Sequence, residues 1–541
     1  MHAALECAPK QEGGPNSFRT KRLPQDLVFV VTCIIAGVSV AITNDGGQFV
    51  LRLVFLAFCC LSVVLIAPSL LVYSIAVLAF LEGIGIANDG GPFVLVTLVF
   101  LAFCCLPVVL IAPWLLAYPI VVLAFFEGIE FRLVVQGISL RPLQIVELVA
   151  LPIAVLYTLA GPRGQRTRTA IDGLLILYLG ANCLSLTTAL FLERSLQITI
   201  LLSSLIALYF VITRLVSSKE VFENVLKCFV AAGVAESLYG LYQLLAQVLN
   251  VHFRFGLPIG VKGVTHIAEL GWEYGRSYGT FVEPDWFGAS SMFFSLFFVA
   301  MWLSGPKNRR RKYALGAAIC LSALLLSMVR ATWLGFIAGF VFMILPSPFR
   351  HRSRILFFKA LAVVAIGFVI SATVMAFSAP LREVVARRFT STGHGAFSPE
   401  NIRFQDMKVS FGTFLQRPIL GNGAGNFSKQ PEYDPRIPPQ EGIERRFDPS
   451  IITTVLSDTG IVGFTVFMLL AGKFYRYHSR CAAKMSSARY RAISLGLFGG
   501  VVGLFVSYVF TQGLWMPLTW VCLSLSVVSD RIGISLEPDG S

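Results

Sequence analysis

Long apolar stretches alternate with short polar breaks along this chain, and one extended polar stretch interrupts the rhythm. Apolar segments long enough to cross a bilayer begin near residues 27, 49, 69, 93, 114, 144, 171, 196, 222, 286, 313, 331, 355, 451, 492 and 513. At ~20 residues per crossing this pattern predicts roughly twelve to sixteen transmembrane segments. Backbone in lipid must satisfy its own hydrogen bonds, which makes these segments helices. The interruption is a polar island from about Pro380 to Ser450, which carries charges of both signs and the turn-rich run Leu420-Gly-Asn-Gly-Ala-Gly-Asn426. The expected fold is all-α: a polytopic integral membrane protein that exports one large loop.

Composition agrees with that pattern. Of 541 residues, 56% are hydrophobic and 14% charged, and mean hydropathy is +0.74. A soluble domain carries nearer a quarter charged residues, so the soluble classes are excluded. The net charge of +14 would suggest nucleic acid in a soluble protein. Here much of it sits in short loops between apolar segments, the positive-inside signal, and no nucleic-acid partner is expected. Several of the eleven cysteines (Cys59, Cys60, Cys104, Cys105, Cys183, Cys320) lie in apolar segments without metal-ligand spacing and read as packing residues. Neither a metal nor a cofactor is expected.

Short basic loops set the orientation. Lys21-Arg22, Arg163 to Arg168, Arg214 to Lys219, Lys307 to Lys312, Arg350 to Arg354 and Lys473 to Arg491 are assigned to the cytoplasm. Both termini then fall inside, and two large regions fall outside, about 250–285 and 380–450. The apolar stretch from Leu27 to Thr43 lacks a small-residue cleavage site and reads as a retained first helix. The expected organisation is a cytoplasmic tail (1–26), N-terminal membrane helices (27–249), the outer loop (380–450) and C-terminal helices (451–530). Within the first block, Asn44-Asp-Gly-Gly-Gln-Phe recurs as Asn88-Asp-Gly-Gly-Pro-Phe, and Leu56-Ala-Phe-Cys-Cys recurs as Leu101-Ala-Phe-Cys-Cys. With a period of about 45 residues, this is a tandem hairpin duplication (about 44–84 and 88–129) rather than a solenoid, which needs three or more units.

Candidate chemistry gathers on the outer side. Arg276, Glu283 and Asp285 stand just before the helix near 286, with His266 upstream. Arg330 lies between two apolar runs at a tight outer re-entry, where a charge is costly unless it meets water or a partner. In the large loop, Ser398-Pro399-Glu400 starts a helix. Phe404, Met407, Phe411 and Phe414 follow at helical spacing, which predicts an amphipathic helix on the membrane's outer face. It ends at Arg417-Pro418 and runs into Gly421, Gly423 and Gly425, which follow no strand and lack a P-loop lysine. A C-cap and turn is the expected role of that glycine run. Asp458 lies early in the next helix, and Glu236 is an acid inside an apolar helix, open to a buried structural role or a site role. Arg276, Arg330, Arg403, Arg417 and Arg445-Arg446 thus converge on one side, and guanidinium groups grip phosphate bidentately without losing charge. A lipid-linked phosphate or pyrophosphate suits such a cluster.

Four pieces of sequence resemble the O-antigen ligase and polymerase superfamily of bacterial membrane glycosyltransferases. Arg276-Ser-Tyr-Gly-Thr-Phe-Val-Glu-Pro-Asp resembles its Arg-x-x-Gly-x-Phe-x-x-Pro-Asn element, and Leu325-Leu-Ser-Met-Val-Arg-Ala-Thr-Trp-Leu its Ser-x-x-Arg-Gly helix start. Arg403 with Arg417-Pro-Ile-Leu-Gly-Asn-Gly-Ala-Gly-Asn-Phe427 resembles its loop pattern, and Leu456-Ser-Asp-Thr-Gly-Ile-Val-Gly463 the element after it. Together they outline a core of about 236–470. The resemblance implies a GT-C-like, metal-independent enzyme in the bacterial inner membrane, working at the periplasmic face on undecaprenyl-pyrophosphate-linked glycans. Its implied partners are that donor, a glycan or lipid-linked acceptor, the bilayer and a polysaccharide chain-length regulator. Arg276 and Arg330 match the family's functional arginines, while Arg403, Arg417, Glu283, His266 and Asp458 are candidates for binding substrate. Where ligases carry His-Asn, this chain has Pro449-Ser450; Asp448, His266 and His394 are candidates to supply the missing base. That departure favours a polymerase-like member or an altered acceptor over a typical ligase, and a transporter or flippase of a lipid-linked or anionic substrate is the alternative class.

Overall fold

The computed structural model describes residues 113–126, 133–135, 138–140, 142–160, 168–248, 277–281, 283–344, 399–426 and 450–535. The crossings expected near residues 27, 49, 69, 93 and 355, and the first copy of the duplicated hairpin, lie outside the described residues. The described part is almost entirely helical. A 3-10 turn at Pro113–Leu116 leads into α1 (Ala117–Leu123), followed by α2 (Pro142–Ala160), α3 (Asp172–Ser185), α4 (Leu192–Leu215) and α5 (Lys219–Val248). Then come α6 (Pro284–Ser304), α7 (Arg310–Leu326), α8 (Arg330–Ile344), α9 (Pro399–Gln416), α10 (Ile451–Lys484), α11 (Ala488–Ser507) and α12 (Pro517–Ser535). Six of these are long and apolar enough to cross a bilayer: α4, α5, α6, α10, α11 and α12. The protein is a polytopic helical membrane protein. One feature departs from an all-α reading, a short antiparallel pair of β1 (Leu133–Val135) and β2 (Ile138–Leu140) with Val134 opposite Ser139.

Packing centres on α6. Its start is fixed by Pro284, whose ring supplies a helical φ and whose missing N–H would have no helical partner, and by the extended Glu283 before it. From Phe287 to Met301 every side chain is buried; Phe294 stacks on Phe125, and both Phe293 and Phe294 pack against the Phe229 ring of α5. α8 and α11 cross beside α6 through small residues. A β-carbon at Gly339 would lie 2.3 Å from the Gly499 carbonyl oxygen, and one at Gly335 2.5 Å from that of Gly503. Each pair is spaced four apart on its helix, the arrangement that lets membrane helices approach backbone to backbone. Gly339→Leu should therefore force α8 and α11 apart at a cost of about 3 kcal/mol. The check is the thermal midpoint in detergent, which is expected to fall with loss of the monodisperse elution peak.

Two ends of the bundle differ in character. At one, the Arg214 guanidinium lies 2.6 Å from the Asp172 carboxylate, and Arg531 donates to the carbonyls of Thr213 and Val216. Arg489 and Tyr490 both reach Glu223 there, at 3.1 and 2.6 Å. A little deeper, fully buried His478, Ser494 and Asp530 tie α10, α11 and α12 together. Every short basic loop among the described residues sits at this end. The opposite end gathers the α3–α4 and α7–α8 connections, the start of α6, α9 with the glycine run, and the α11–α12 loop. Hydrogen bonds join these parts, among them Leu190 N–H to the Asn422 carbonyl, Ile451 N–H to that of Tyr508, and the Trp286 indole to that of Gln512.

Candidate functional site

The second end is assembled around the N-terminus of α6. Asp285 occupies its first turn and is 7% exposed. Its Oδ2 lies 2.7 Å from Nη2 of Arg403, so α9 of the large loop is fastened to α6 by an ion pair. The second Arg403 nitrogen, Nη1, reaches 3.5 Å toward the Phe510 carbonyl of the α11–α12 loop. Glu283, half-buried, is the residue that precedes the helix.

Arg330 is the first residue of α8 and is half-buried, presented by the α7–α8 turn. That turn is tightly specified. Ser327 Oγ donates to the Leu324 carbonyl at 2.7 Å, Thr332 Oγ1 to that of Val329 at 2.7 Å, and the Trp333 indole to that of Leu324 at 3.2 Å. Met328 adopts φ +55°, the only positive φ at a non-glycine position among the described residues. A left-handed conformation at such a residue costs about 1–2 kcal/mol, so the surrounding contacts hold a turn the chain would not choose alone. The turn rests on α6 as well: a β-carbon at Gly288 would stand 2.8 Å from Ser327 Oγ and 3.1 Å from Thr332 Oγ1. Arg330 and the Asp285–Arg403 pair are therefore carried by the same first turns of α6.

The segment after Arg276 is held by a polar stripe on α5. Glu236 accepts from the Thr280 N–H at 2.7 Å with Oε1 and from the Thr280 hydroxyl at 2.8 Å with Oε2. Gln243 accepts the Gly279 N–H and donates to its carbonyl, both at 2.9 Å, and Ser277 Oγ donates to the Gly240 carbonyl at 2.7 Å. Thr280 Oγ1 also contacts the Phe125 carbonyl at 2.8 Å. Glu236, Gly240 and Gln243 recur at i, i+4 and i+7, so they face one side of α5. Glu236 is thus a positioning group for the loop that leads from Arg276 into α6. Removing it would leave the part-buried Thr280 N–H without its partner, at a cost of about 1 kcal/mol. Glu236→Ala is expected to lower activity more than stability. The check is a loss of kcat that Glu236→Gln, which keeps an acceptor, partly restores.

The glycine run does more than end a helix. α10 is broken at Gly460, which has φ +62° and ψ −163°. The run enters that break. Ile461 N–H donates to the Pro418 carbonyl at 2.8 Å and Val462 N–H to that of Ile419 at 3.3 Å. In return Asn422 N–H donates to the Ser457 carbonyl at 2.8 Å, and Gly423 N–H to that of Asp458 at 3.1 Å. Asp458 Oδ2 accepts from the Gly425 N–H at 3.1 Å. A buried helix break must have its freed backbone groups satisfied by neighbouring protein, and this loop does that. The glycines are needed for space: a β-carbon on Gly421 would lie 2.4 Å from the Asp458 carbonyl oxygen. Asp458, 5% exposed, serves this clamp. Arg417 is exposed and donates to the Thr188 carbonyl, and Thr188 in turn donates to that of Gly421 at 2.8 Å.

α9 turns the expected face outward. Its packed side is polar, with Asp406, Ser410 and Thr413 buried and Ser410 Oγ 3.3 Å from the Thr453 carbonyl. Phe404, Phe411 and Leu415 are exposed, while Met407 and Phe414 are half-buried. The apolar stripe read from the sequence thus points away from the protein, as suits a helix bedded in the lipid interface. Arg276, His266, His394, Asp448 and Pro449 lie outside the described residues. Ser450 is buried immediately before α10. Among the described residues, no group of three or more His, Cys, Asp or Glu side chains is arranged to hold a metal ion.

Among curated proteins none matches the chain. A family model described as O-antigen ligase matches residues 315–468, which run from α7 through the Arg330 turn, α9 and the glycine run into the broken part of α10. Within the 541 residues, that segment is what the chain shares with the O-antigen ligase family.

Proposed function

We propose that the protein transfers or polymerises lipid-diphosphate-linked oligosaccharides, with undecaprenyl pyrophosphate as the lipid carrier. A ligase or polymerase role in polysaccharide assembly is supported by the O-antigen ligase match at residues 315–468. The observation that supports the finer reading is the convergence of Arg330 and Arg403 on the first turns of α6, with the chain arriving there directly from Arg276. In this reaction an acceptor hydroxyl attacks the anomeric carbon, the bond from that carbon to the diphosphate oxygen breaks, and the diphosphate leaves with the electron pair. Charge therefore develops on the diphosphate, where fixed guanidinium groups stabilise the transition state. No metal is needed for that stabilisation. Arg276 and Arg330 are assigned to the leaving group; Arg403, Arg417, Glu283 and His266 are assigned to binding substrate, Asp448 to the base, and Asp458 to the clamp beneath the site.

The site end faces the periplasm in this reading, because the basic loops at the opposite end belong in the cytoplasm by the positive-inside rule. Both termini are then cytoplasmic and the membrane is the bacterial inner membrane. A chain-length regulator is a natural partner of a polymerase. The test is reconstitution with an undecaprenyl-pyrophosphate oligosaccharide. A ladder of lengthening products identifies a polymerase, transfer to a separate acceptor identifies a ligase, and uptake without glycosidic bond formation overturns both.

A further inference from the structure

We infer that the α6–α7 connection is a binding site for anionic phospholipid headgroups, held by Lys307, Arg309, Arg310, Arg311 and Lys312. The inference stands apart from the proposed reaction, since it concerns the opposite end of the bundle. Charge, depth and helix polarity carry it.

Five of the six residues from 307 to 312 are cations, and the sequence holds no Asp or Glu between Asp285 and Glu383. All five side chains are exposed, and among the described residues none of them has a hydrogen bond, ion pair or ring contact. Other cations at this end are used within the protein: Arg214 on Asp172, Arg489 on Glu223, and Arg531 on the carbonyls of Thr213 and Val216. Orientation in the membrane needs only an excess of Lys and Arg in short loops, and several loops supply it. A contiguous, unpaired run of this size next to a membrane helix is the pattern that gathers anionic lipid.

Depth comes from the residues around the run. α6 and α7 form an antiparallel hairpin with Gly316 against Phe298, where a β-carbon would lie 2.6 Å from the ring. One turn nearer the connection, Trp302 of α6 and Tyr313 of α7 stand level with each other, both half-buried. Tryptophan and tyrosine at helix ends mark the headgroup region. Leu315, 63% exposed, presents apolar surface just beyond them toward the bilayer centre. The cations therefore begin where the apolar surface stops, and an anion held at that depth is a lipid headgroup rather than a soluble group.

Helix polarity adds to both. Arg310, Arg311 and Lys312 open α7, whose first turn has no acidic residue and whose N-cap, Arg309, makes no side-chain cap. Cations at a helix N-terminus oppose its dipole. A phosphate there pairs with the cations and accepts from N–H groups that a helix start leaves without helical partners, so one ligand relieves both. α7 also leads into the Arg330 turn at its other end, so the headgroups anchor the helix that presents Arg330.

The experiment uses the full chain in phosphatidylcholine nanodiscs with a graded share of phosphatidylglycerol brominated in its acyl chains, which quenches nearby tryptophan. The Trp302 signal is the difference between the wild type and Trp302→Phe. Half-quenching is expected at a lower share of brominated phosphatidylglycerol than of brominated phosphatidylcholine, and the preference should vanish at about 1 M salt. Arg310→Gln combined with Arg311→Gln should lower the preference roughly fivefold, the worth of one fully engaged cation. Lys307, Arg309 and Lys312 remain in that variant to keep the orientation of the loop. Arg310→Lys combined with Arg311→Lys keeps the charge and should keep the preference. Equal quenching by the two brominated lipids, a preference unchanged by the glutamine substitutions, or one that survives about 1 M salt overturns the inference. Displacement of phosphatidylglycerol by inorganic phosphate or by polyglutamate also overturns it, since the patch then belongs to a soluble anion. Where the glutamine variant does not fold, the salt series on the wild type still decides.

Discussion

Replacing Gly460 with valine is expected to abolish activity and release residues 417–426 from α10. The residue has φ +62°, and a β-carbon there would lie 2.3 Å from the Ile419 carbonyl oxygen and 2.7 Å from the Gly421 nitrogen. Backbone cannot yield as a flexible side chain can, so the loop must leave. Its departure strands the N–H groups of Ile461 and Val462 and the carbonyls of Ser457 and Asp458. Each buried unpaired group costs roughly 1–3 kcal/mol, so the total is about 4 kcal/mol or more. Amide hydrogen exchange across residues 417–426 should speed up and the thermal midpoint should fall. Gly472 is the internal control on the same helix. A β-carbon there meets nothing within 4 Å, and Gly472→Ala should be neutral or stabilising by up to about 1 kcal/mol.

The second large effect is on chemistry with the fold intact. Arg330→Ala should lower kcat by about 10²–10³-fold, the magnitude seen when one preorganised charge-stabilising donor is removed. The α7–α8 turn keeps its Ser327, Thr332 and Trp333 hydrogen bonds in the variant, so the protein should stay folded. Lysine keeps the charge and loses the planar fork, so Arg330→Lys should recover part of the rate. A fall in KM-linked binding with kcat unchanged would instead make Arg330 a ground-state anchor.

Much of this arrangement could be read from residue patterns. Apolar period and basic loops give helices that begin close to the expected positions, because lipid leaves the backbone few choices. Arg330 was visible as a charge between two apolar runs, and Arg403 as a charge in a helical loop segment. The partners were less accessible. Nothing local says that Asp285 meets Arg403, because 118 positions separate them. The glycine run looked like a simple helix end because its function lies in a break of α10 more than thirty residues later, and Gly460 alone does not announce a break. Glu236, Gly240 and Gln243 did carry a signal in their i, i+4, i+7 spacing, but its target, residues 277–281, becomes clear only in three dimensions. Met328 gave no signal at all, since its left-handed backbone is imposed by the turn around it.

The most direct test of a diphosphate-binding arginine site at the start of α6 is donor turnover by reconstituted wild-type protein beside Arg276→Ala and Arg330→Ala. The account predicts glycosidic bond formation by the wild type and a loss of about 10²-fold or more in each variant while the protein stays folded. Undiminished turnover in both variants would contradict it.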